Sequence, residues 1–148
     1  MLDVRSRWGF TMKQHYKNLL VWQKAMILVT RVYETTRCFP NEERYGLTSQ
    51  IRRAAVSVPS NIAEGQARLN AGEFRQFLGI AKGSLAELET QLLISQNLGY
   101  LTDANPLLEQ LSEVGRMLHG LLNSLATHNS KSSSAPPATH NRHLTFIL

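Results

Sequence analysis

The chain has 148 residues, of which 43% are hydrophobic and 18% charged, and its formal net charge is +5 at pH 7. These values are typical of one soluble globular domain. No apolar run approaches the ~20 residues that a membrane span needs, and the first residues lack the apolar stretch of a secretion signal. The sequence therefore predicts a cytoplasmic protein without a membrane partner. Cys38 is the only cysteine, which excludes an internal disulfide.

Composition divides the chain into three parts. Residues 1–14 are predicted to form a disordered leader, because helical periodicity begins only after them. Residues 128–148 are rich in Ser, Pro, His and Asn and are predicted to form a disordered tail. The folded unit is thus predicted to span residues 15–127.

The first predicted helix covers about residues 18–38 and carries apolar side chains on two opposed faces. The face predicted to meet the core consists of Leu19, Trp22, Met26, Val29 and Tyr33. The opposite face consists of Val21, Ala25, Leu28 and Val32. Because a bundle helix needs only one buried stripe, the second face is predicted to contact another copy of the chain. The alternative is a wide core that uses both faces.

Three further helices are predicted, at about residues 46–69, 71–97 and 105–126. In each one, apolar residues recur at alternating steps of three and four, which is the spacing of helices packed antiparallel at about 20°. The predicted core positions are Leu47, Ile51, Ala54, Val58, Ile62, Phe74, Leu78, Ala81, Leu85, Leu88, Leu92, Leu107, Leu111, Val114, Leu118, Leu121 and Leu125. The short connections favour an all-α, up-down-up-down four-helix bundle.

Polar residues, glycine and proline predict where these helices begin, bend and end. The expected N-caps are Thr48 or Asn41 for the second helix, Asn70 (with Glu73 three residues on) for the third, and Asn105 (with Pro106 at the first helical position) for the fourth. Pro59 is expected to kink the second helix, and Gly99 to end the third. Gly79 and Gly83, with Ile80 between them, lie on the non-core side of the third helix and are also predicted to contact another copy of the chain, because small residues at this spacing let a helix come close.

The sequence carries no motif of a catalytic or metal site. None of the five histidines follows a glutamate by three positions, as a di-iron bundle requires, and no HExxH zinc motif occurs. The glycines of GIAKGS (79–84) do not have the spacing of a phosphate-binding loop. The protein is therefore predicted not to be an enzyme and to have no metal and no cofactor.

Several polar residues lie within the second and third helices: Gln50, Ser57, Ser60, Asn61, Glu64, Ser84 and Glu87. Glu64 and Glu87 have the chemistry of a general acid and base or of metal ligands. A hydrogen-bonded network that fixes helix register is the favoured interpretation, because bundle cores often contain one.

Basic residues concentrate in the middle of the chain. Residues 44–82 carry six basic and two acidic side chains, whereas residues 83–127 carry one basic and five acidic ones. The candidate nucleic-acid-binding residues are Arg44, Arg52, Arg53, Arg68, Arg75 and Lys82. Such a patch, repeated in an oligomer, would bind phosphates in a salt-dependent manner; alternatively, the charge separation serves contact between subunits. No aromatic residues interleave these arginines, so base stacking is not predicted.

The segments LLVWQKA (19–25), FP (39–40), YGLTSQIRRAAVSVPSNIAEG (45–65), EFRQFLGIAKGSLAELETQL (73–92) and LGYL (98–101) resemble the bacterial four helix bundle protein family. Its members include proteins encoded in intervening sequences of large-subunit ribosomal RNA and accessory proteins of diversity-generating retroelements. The resemblance implies an up-down bundle assembled as a homopentameric ring. For the retroelement members it also implies a basic surface that binds nucleic acid and a partner reverse transcriptase. Arg52 and Arg53 match the family's paired basic positions.

Two functional hypotheses follow. The first is a non-enzymatic oligomer that binds RNA or DNA through its basic surface, as an accessory to a reverse transcriptase or to ribosomal RNA. The second is a structural or protein-interaction scaffold that binds no nucleic acid.

Overall fold

The computed structural model describes residues 15–132, and in this part of the chain it contains helices and no strands. The four α-helices are α1 (Leu20–Thr35), α2 (Leu47–Ala67), α3 (Ala71–Asn97) and α4 (Asn105–Ser132). Short 3-10 turns lie before α1 and between α1 and α2. Each helix packs against the next in sequence, and α4 closes the arrangement against α1. The predicted all-α four-helix bundle is confirmed.

The helical part of the described chain extends beyond the C-terminal boundary predicted for the folded unit. The predicted leader, residues 1–14, lies outside the described residues. The fourth helix continues to Ser132, five residues into the predicted tail, so the expectation of a tail from residue 128 is wrong for that stretch. The remaining tail residues also lie outside the described part of the chain.

The core is built from the apolar positions that the three-and-four spacing predicts for α2, α3 and α4. Most of these side chains are buried, and Ile51, Val58, Ile62, Leu78 and Leu88 are fully enclosed. The terminal members Leu47, Leu121 and Leu125 are partly buried against the same cluster. Burying a leucine or isoleucine contributes roughly 1.5–3 kcal/mol each, so this cluster is the main stabilising feature of the bundle.

Helix α1 presents to the core the face opposite to the one predicted. Its buried residues are Val21, Ala25, Leu28 and Val32, which were predicted to form a subunit interface. Because their side chains are at most 6% exposed within one chain, that assignment is wrong. The stripe predicted for the core is Leu19, Trp22, Met26, Val29 and Tyr33, and it lies half-buried or exposed. Small and β-branched side chains let α1 approach the core closely, whereas the larger aromatic ones lie at its border, where part of each ring meets water.

Helix starts agree with the predicted caps at one of three positions. Asn70 caps α3, because its Oδ1 accepts a hydrogen bond from Glu73 N at 2.8 Å. The start of α2 uses neither Thr48 nor Asn41: Gly46 occupies the cap position, and Glu43 Oε2 accepts from Leu47 N at 2.9 Å.

Helix α4 begins at Asn105, where the predicted range begins, but Asn105 is itself helical and is not the cap, so Pro106 is the second residue of the helix. Asp103 Oδ1 accepts the hydrogen bond from Asn105 N at 2.9 Å. At the end of α3, Gly99 has a φ of 76°, the left-handed conformation that favours glycine after a helix, as predicted.

Helices α2 and α3 form the most extensive pair in the bundle. The structure describes α2 as unbroken through the buried Pro59. The two helices lie close together at Gly65, where an added Cβ would lie 2.6 Å from Phe77 Cβ and 2.9 Å from Phe74 Cδ2. Glycine at this position is therefore required by packing, because no other residue leaves room for α3.

Candidate nucleic-acid interface

The six basic residues predicted to bind nucleic acid lie in three separate places. Arg44, Arg52 and Arg53 line one groove beside α1 and α2. Arg68 lies at the end of α2 and pairs with Glu64 at 2.7 Å. Lys82 lines a different groove, between α3 and α4. Arg75 is exposed seven residues before it, on the same flank of α3. Only the first three are brought together.

This groove, the arginine groove, is open to solvent and has a volume of about 580 Å³. It is lined by Tyr33, Arg44, Tyr45, Thr48, Ser49, Arg52, Arg53, Val56 and Ser57. The lining combines three guanidinium groups with hydroxyls and contains no carboxylate. None of the three arginines has an ion-pair partner within 4.0 Å among the described residues. The arrangement is a locally positive surface on a folded body in which residues 18–127 carry ten basic and ten acidic side chains in all.

Arg52 is held in place within the groove by two contacts. Its Nε donates a hydrogen bond to Thr36 Oγ1 at 2.9 Å, and its guanidinium carbon lies 4.7 Å from the centre of the Tyr33 ring. The Thr36 hydroxyl in turn donates to the Val32 carbonyl at 2.9 Å. Because only Nε is used, the terminal nitrogens remain available, and they are the pair that binds a phosphate bidentately.

Two tyrosines lie among these arginines, which corrects the prediction that no aromatic group does so. Tyr45 is 88% exposed, and Arg44 lies over its ring at 5.6 Å. Tyr33 reaches the groove from α1, and the residue is 40% exposed. Tyr45 is adjacent to Arg44 in the sequence, so its presence beside an arginine could have been predicted. Tyr33 reaches the groove only because α1 packs on α2. Exposed aromatic rings beside guanidinium groups are typical of sites that bind unpaired bases.

A second pocket adjoins the arginine groove, and Arg53 and Ser57 line both. This pocket, the Glu87 pocket, lies between α2 and α3, has a volume of about 390 Å³, and is completed by Gln50, Ala54 and Glu87. Glu87 Oε1 accepts a hydrogen bond from Gln91 Nε2 at 3.1 Å. The pocket is therefore polar, with a cationic and an anionic side chain in its wall.

Part of the predicted hydrogen-bonded network is present beneath this pocket, formed by Ser57, Asn61 and Ser84. The hydroxyls of Ser57 and Ser84 lie 2.8 Å apart, and Asn61 Nδ2 donates to Ser57 Oγ at 2.9 Å. Ser84 also donates to the Ile80 carbonyl. These bonds join α2 to α3 and fix their register. Glu64 does not belong to the network, because it is exposed and pairs with Arg68.

The remaining predicted interface residues lie on the outside of α3. Gly79, Ile80 and Gly83 are all exposed, and a Cβ added at either glycine would meet no atom within 4 Å. On α1, the exposed apolar side chains are Leu20, Met26 and Ile27, with exposures of 41–55%. Packing within one chain does not explain either set.

No group of three His, Cys, Asp or Glu side chains in the described part of the chain is arranged to hold a metal ion. None of its helices combines the length and apolar character that crossing a bilayer requires.

Comparison with known proteins agrees with the resemblance noted in the sequence. No curated protein matches the chain. A family model described as "23S rRNA-intervening sequence protein" matches residues 17–120, which include α1, α2 and α3 and most of α4. The match covers more than half of the chain, and it includes every residue of the arginine groove and of the Glu87 pocket. The chain therefore belongs to the 23S rRNA-intervening sequence protein family.

Proposed function

We propose that this protein is a non-enzymatic, self-associating bundle that binds RNA through the arginine groove. The observation that carries the proposal is the convergence of three arginines and two exposed tyrosines on one surface, where the described residues supply neither a carboxylate nor an ion-pair partner for these arginines. Membership in a family named for 23S rRNA-intervening sequences is in keeping with a role related to RNA.

The groove supplies both parts of single-strand binding. Arg44 and Arg52 each neutralise one phosphate, which gives a slope of about −1.4 in a plot of log affinity against log salt concentration, and Arg53 adds to the positive potential of the groove. Stacking of a base on an exposed ring contributes about 1–3 kcal/mol, and Tyr45 presents such a ring. The charge-balanced body adds no general attraction, so binding depends on this groove.

Self-association would multiply the groove. The exposed apolar residues of α1 and the Gly79–Gly83 surface of α3 are the two faces that a second copy would cover. The family resemblance implies a homopentameric ring. In such a ring several grooves would engage one RNA, so that moderate affinity at each groove gives tight binding overall.

A pair of double variants of equal charge tests the RNA proposal. Arg52→Glu with Arg53→Glu reverses two charges in the groove, whereas Arg75→Glu with Lys82→Glu reverses two charges on the far flank of α3. We expect the first variant to bind structured RNA at least ~10-fold more weakly at about 50 mM salt, and the second to change affinity by less than ~3-fold. Equal losses in both variants, or none in either, would reject the groove as the RNA site.

A scaffold that ignores nucleic acid is the second candidate, and the exposed apolar residues of α1 favour it. Its protein partners would be copies of the chain and, on the resemblance, a reverse transcriptase. Wild-type protein that assembles but does not bind any RNA or DNA at about 50 mM salt would select this function over the first. Sedimentation and fluorescence anisotropy on the same sample separate the two.

A further inference from the structure

The Glu87 pocket differs from the arginine groove in one respect that decides what it binds. Its wall carries Arg53 on α2 and Glu87 on α3, yet no ion pair within 4.0 Å joins them; the pairs formed in the described part of the chain are Lys24–Glu113 and Arg68–Glu64. The guanidinium donors of Arg53 and the carboxylate oxygens of Glu87 therefore border the same open space without forming an ion pair with each other.

The Glu87 carboxylate is oriented toward this space by a buried neighbour. Gln91 is 6% exposed and donates from Nε2 to Glu87 Oε1. Gln91 Nε2 holds that oxygen from one turn further along α3, while the exposed side chain of Glu87 presents its carboxylate to the pocket. An orientation fixed in advance lowers the entropic cost of binding a ligand.

A carboxylate in the wall excludes phosphate and favours a ligand with N–H donors. We infer that the Glu87 pocket binds an unpaired guanine base of the RNA whose backbone lies on the arginine groove. Guanine carries two acceptors, O6 and N7, on one edge, which match the fork of an arginine. Its N1–H and N2–H₂ donors lie on the neighbouring edge and match the two oxygens of a carboxylate.

The other bases form fewer hydrogen bonds with Arg53 and Glu87 than guanine does. Adenine offers one exocyclic amine beside N7, and its N1 is an acceptor that faces the carboxylate unfavourably. Uracil has a single N–H, and cytosine has one amine with no second donor beside it. Gln50 adds an amide that donates or accepts at the mouth of the pocket. The inference rests on the proposed function, because the arginine groove must hold the backbone for the base to enter.

The test uses short single-stranded RNAs that are uridine throughout except for one central guanosine, adenosine, cytidine or inosine. Fluorescence anisotropy with the full-length protein should show guanosine binding about 10-fold more tightly than adenosine or uridine, as one bidentate base contact provides. Inosine lacks the N2 amine and should fall between them. Glu87→Gln should reduce the guanosine preference at least ~3-fold, because only the contact of Arg53 with O6 and N7 remains. The affinity for the adenosine strand should be unchanged or slightly higher, because a negative charge is removed.

Glu89→Gln is the matched control, since Glu89 lies on the opposite flank of α3, in the groove shared with α4. This variant should retain the full guanosine preference. Equal affinity for all strands, a preference for cytidine, or a guanosine preference that Glu87→Gln does not reduce would overturn the base assignment and leave the proposed RNA binding intact. Failure of every strand to bind at about 50 mM salt would overturn both.

Discussion

Tyr100 donates a hydrogen bond from its hydroxyl to Glu43 Oε1 at 3.2 Å, across 57 residues of sequence. The other oxygen of Glu43 accepts from Leu47 N and so caps α2. The Tyr100 ring lies 5.8 Å from that of Phe39. One carboxylate thus connects the α1–α2 and α3–α4 connections at the same end of the bundle and satisfies a helix terminus as well.

Because of this contact, the free energy of unfolding should decrease at alkaline pH. Burial, followed by the hydrogen bond to Glu43 and the charges of Glu43 and Glu42, raises the pKa of Tyr100 above its ordinary value of 10.0. A raised folded-state pKa means that the stabilisation is complete below pH 10 and is lost as the pH rises through the folded value.

We therefore expect Tyr100→Phe to be less stable than wild type near neutral pH and to lose less stability on going above pH 10. Urea unfolding at pH 8 and above pH 10 measures both effects. Tyr45→Phe is the control, because Tyr45 is exposed, and it should follow the wild-type pH profile. Parallel pH profiles for wild type and Tyr100→Phe would contradict the prediction.

The glycines of the bundle should respond to alanine in opposite directions. Gly65→Ala places a methyl group against Phe77 and Phe74, so we expect a loss of about 1–3 kcal/mol in the free energy of unfolding. Gly79→Ala and Gly83→Ala meet no neighbour and should each stabilise the single chain by about 0.4–1 kcal/mol. If a second copy packs on these two glycines, sedimentation should also show weaker assembly. A harmless Gly65→Ala would refute the close approach of α2 and α3.

Adjacent residues on α1 separate folding from assembly. Leu28 is 1% exposed, so Leu28→Ala should cost about 2–5 kcal/mol in unfolding free energy. Ile27 is 50% exposed, so Ile27→Ala should change the stability of the single chain by less than about 0.5 kcal/mol. We expect Ile27→Ala to shift sedimentation toward smaller species. Wild-type protein that remains a folded monomer at high concentration would remove the basis for assembly through this face.

Thr36 should influence RNA binding without touching RNA. Thr36→Val removes the acceptor of the Arg52 Nε hydrogen bond, so the arginine must be ordered when RNA binds. We expect affinity to fall about 2- to 10-fold, the range for immobilising one long side chain. Thr30→Val is matched to it, because Thr30 makes the same bond to the carbonyl four residues earlier but holds no arginine. Equal affinity of the two variants would show that Arg52 needs no such anchor.

Regular spacing was sufficient to predict the fold but not which surface of α1 is buried. In α2, α3 and α4 the sequence has a single apolar stripe, such as Ile51, Val58 and Ile62 in α2, so the buried face of each helix is unambiguous. In α1 two stripes had the same period, and periodicity alone does not distinguish them. The small residue Ala25, which lets helices approach closely, was the available signal for the buried face.

The site was predictable only in part. Residue spacing shows on which side of its own helix a residue lies, but it does not show which residues of other helices lie beside it. Arg52 and Arg53 lie outside the core, and Arg75 and Lys82 lie seven residues apart on one flank of α3. That flank, however, turns toward α4 and away from the arginine groove. Tyr33 is 19 residues from Arg52 in sequence, and only the packing of α1 beside α2 brings their side chains together.

The connection between α2 and α3 consists of residues 68–70 alone, and it joins the two helices that pack most extensively. Partners so near in sequence meet at little cost in loop-closure entropy, so this hairpin is suited to form early in folding. Its amide protons should exchange with solvent more slowly than those of α4, which is bordered by less extensive contacts. The serine network and the wall of the Glu87 pocket that depend on this hairpin would then persist through local opening of the rest of the bundle.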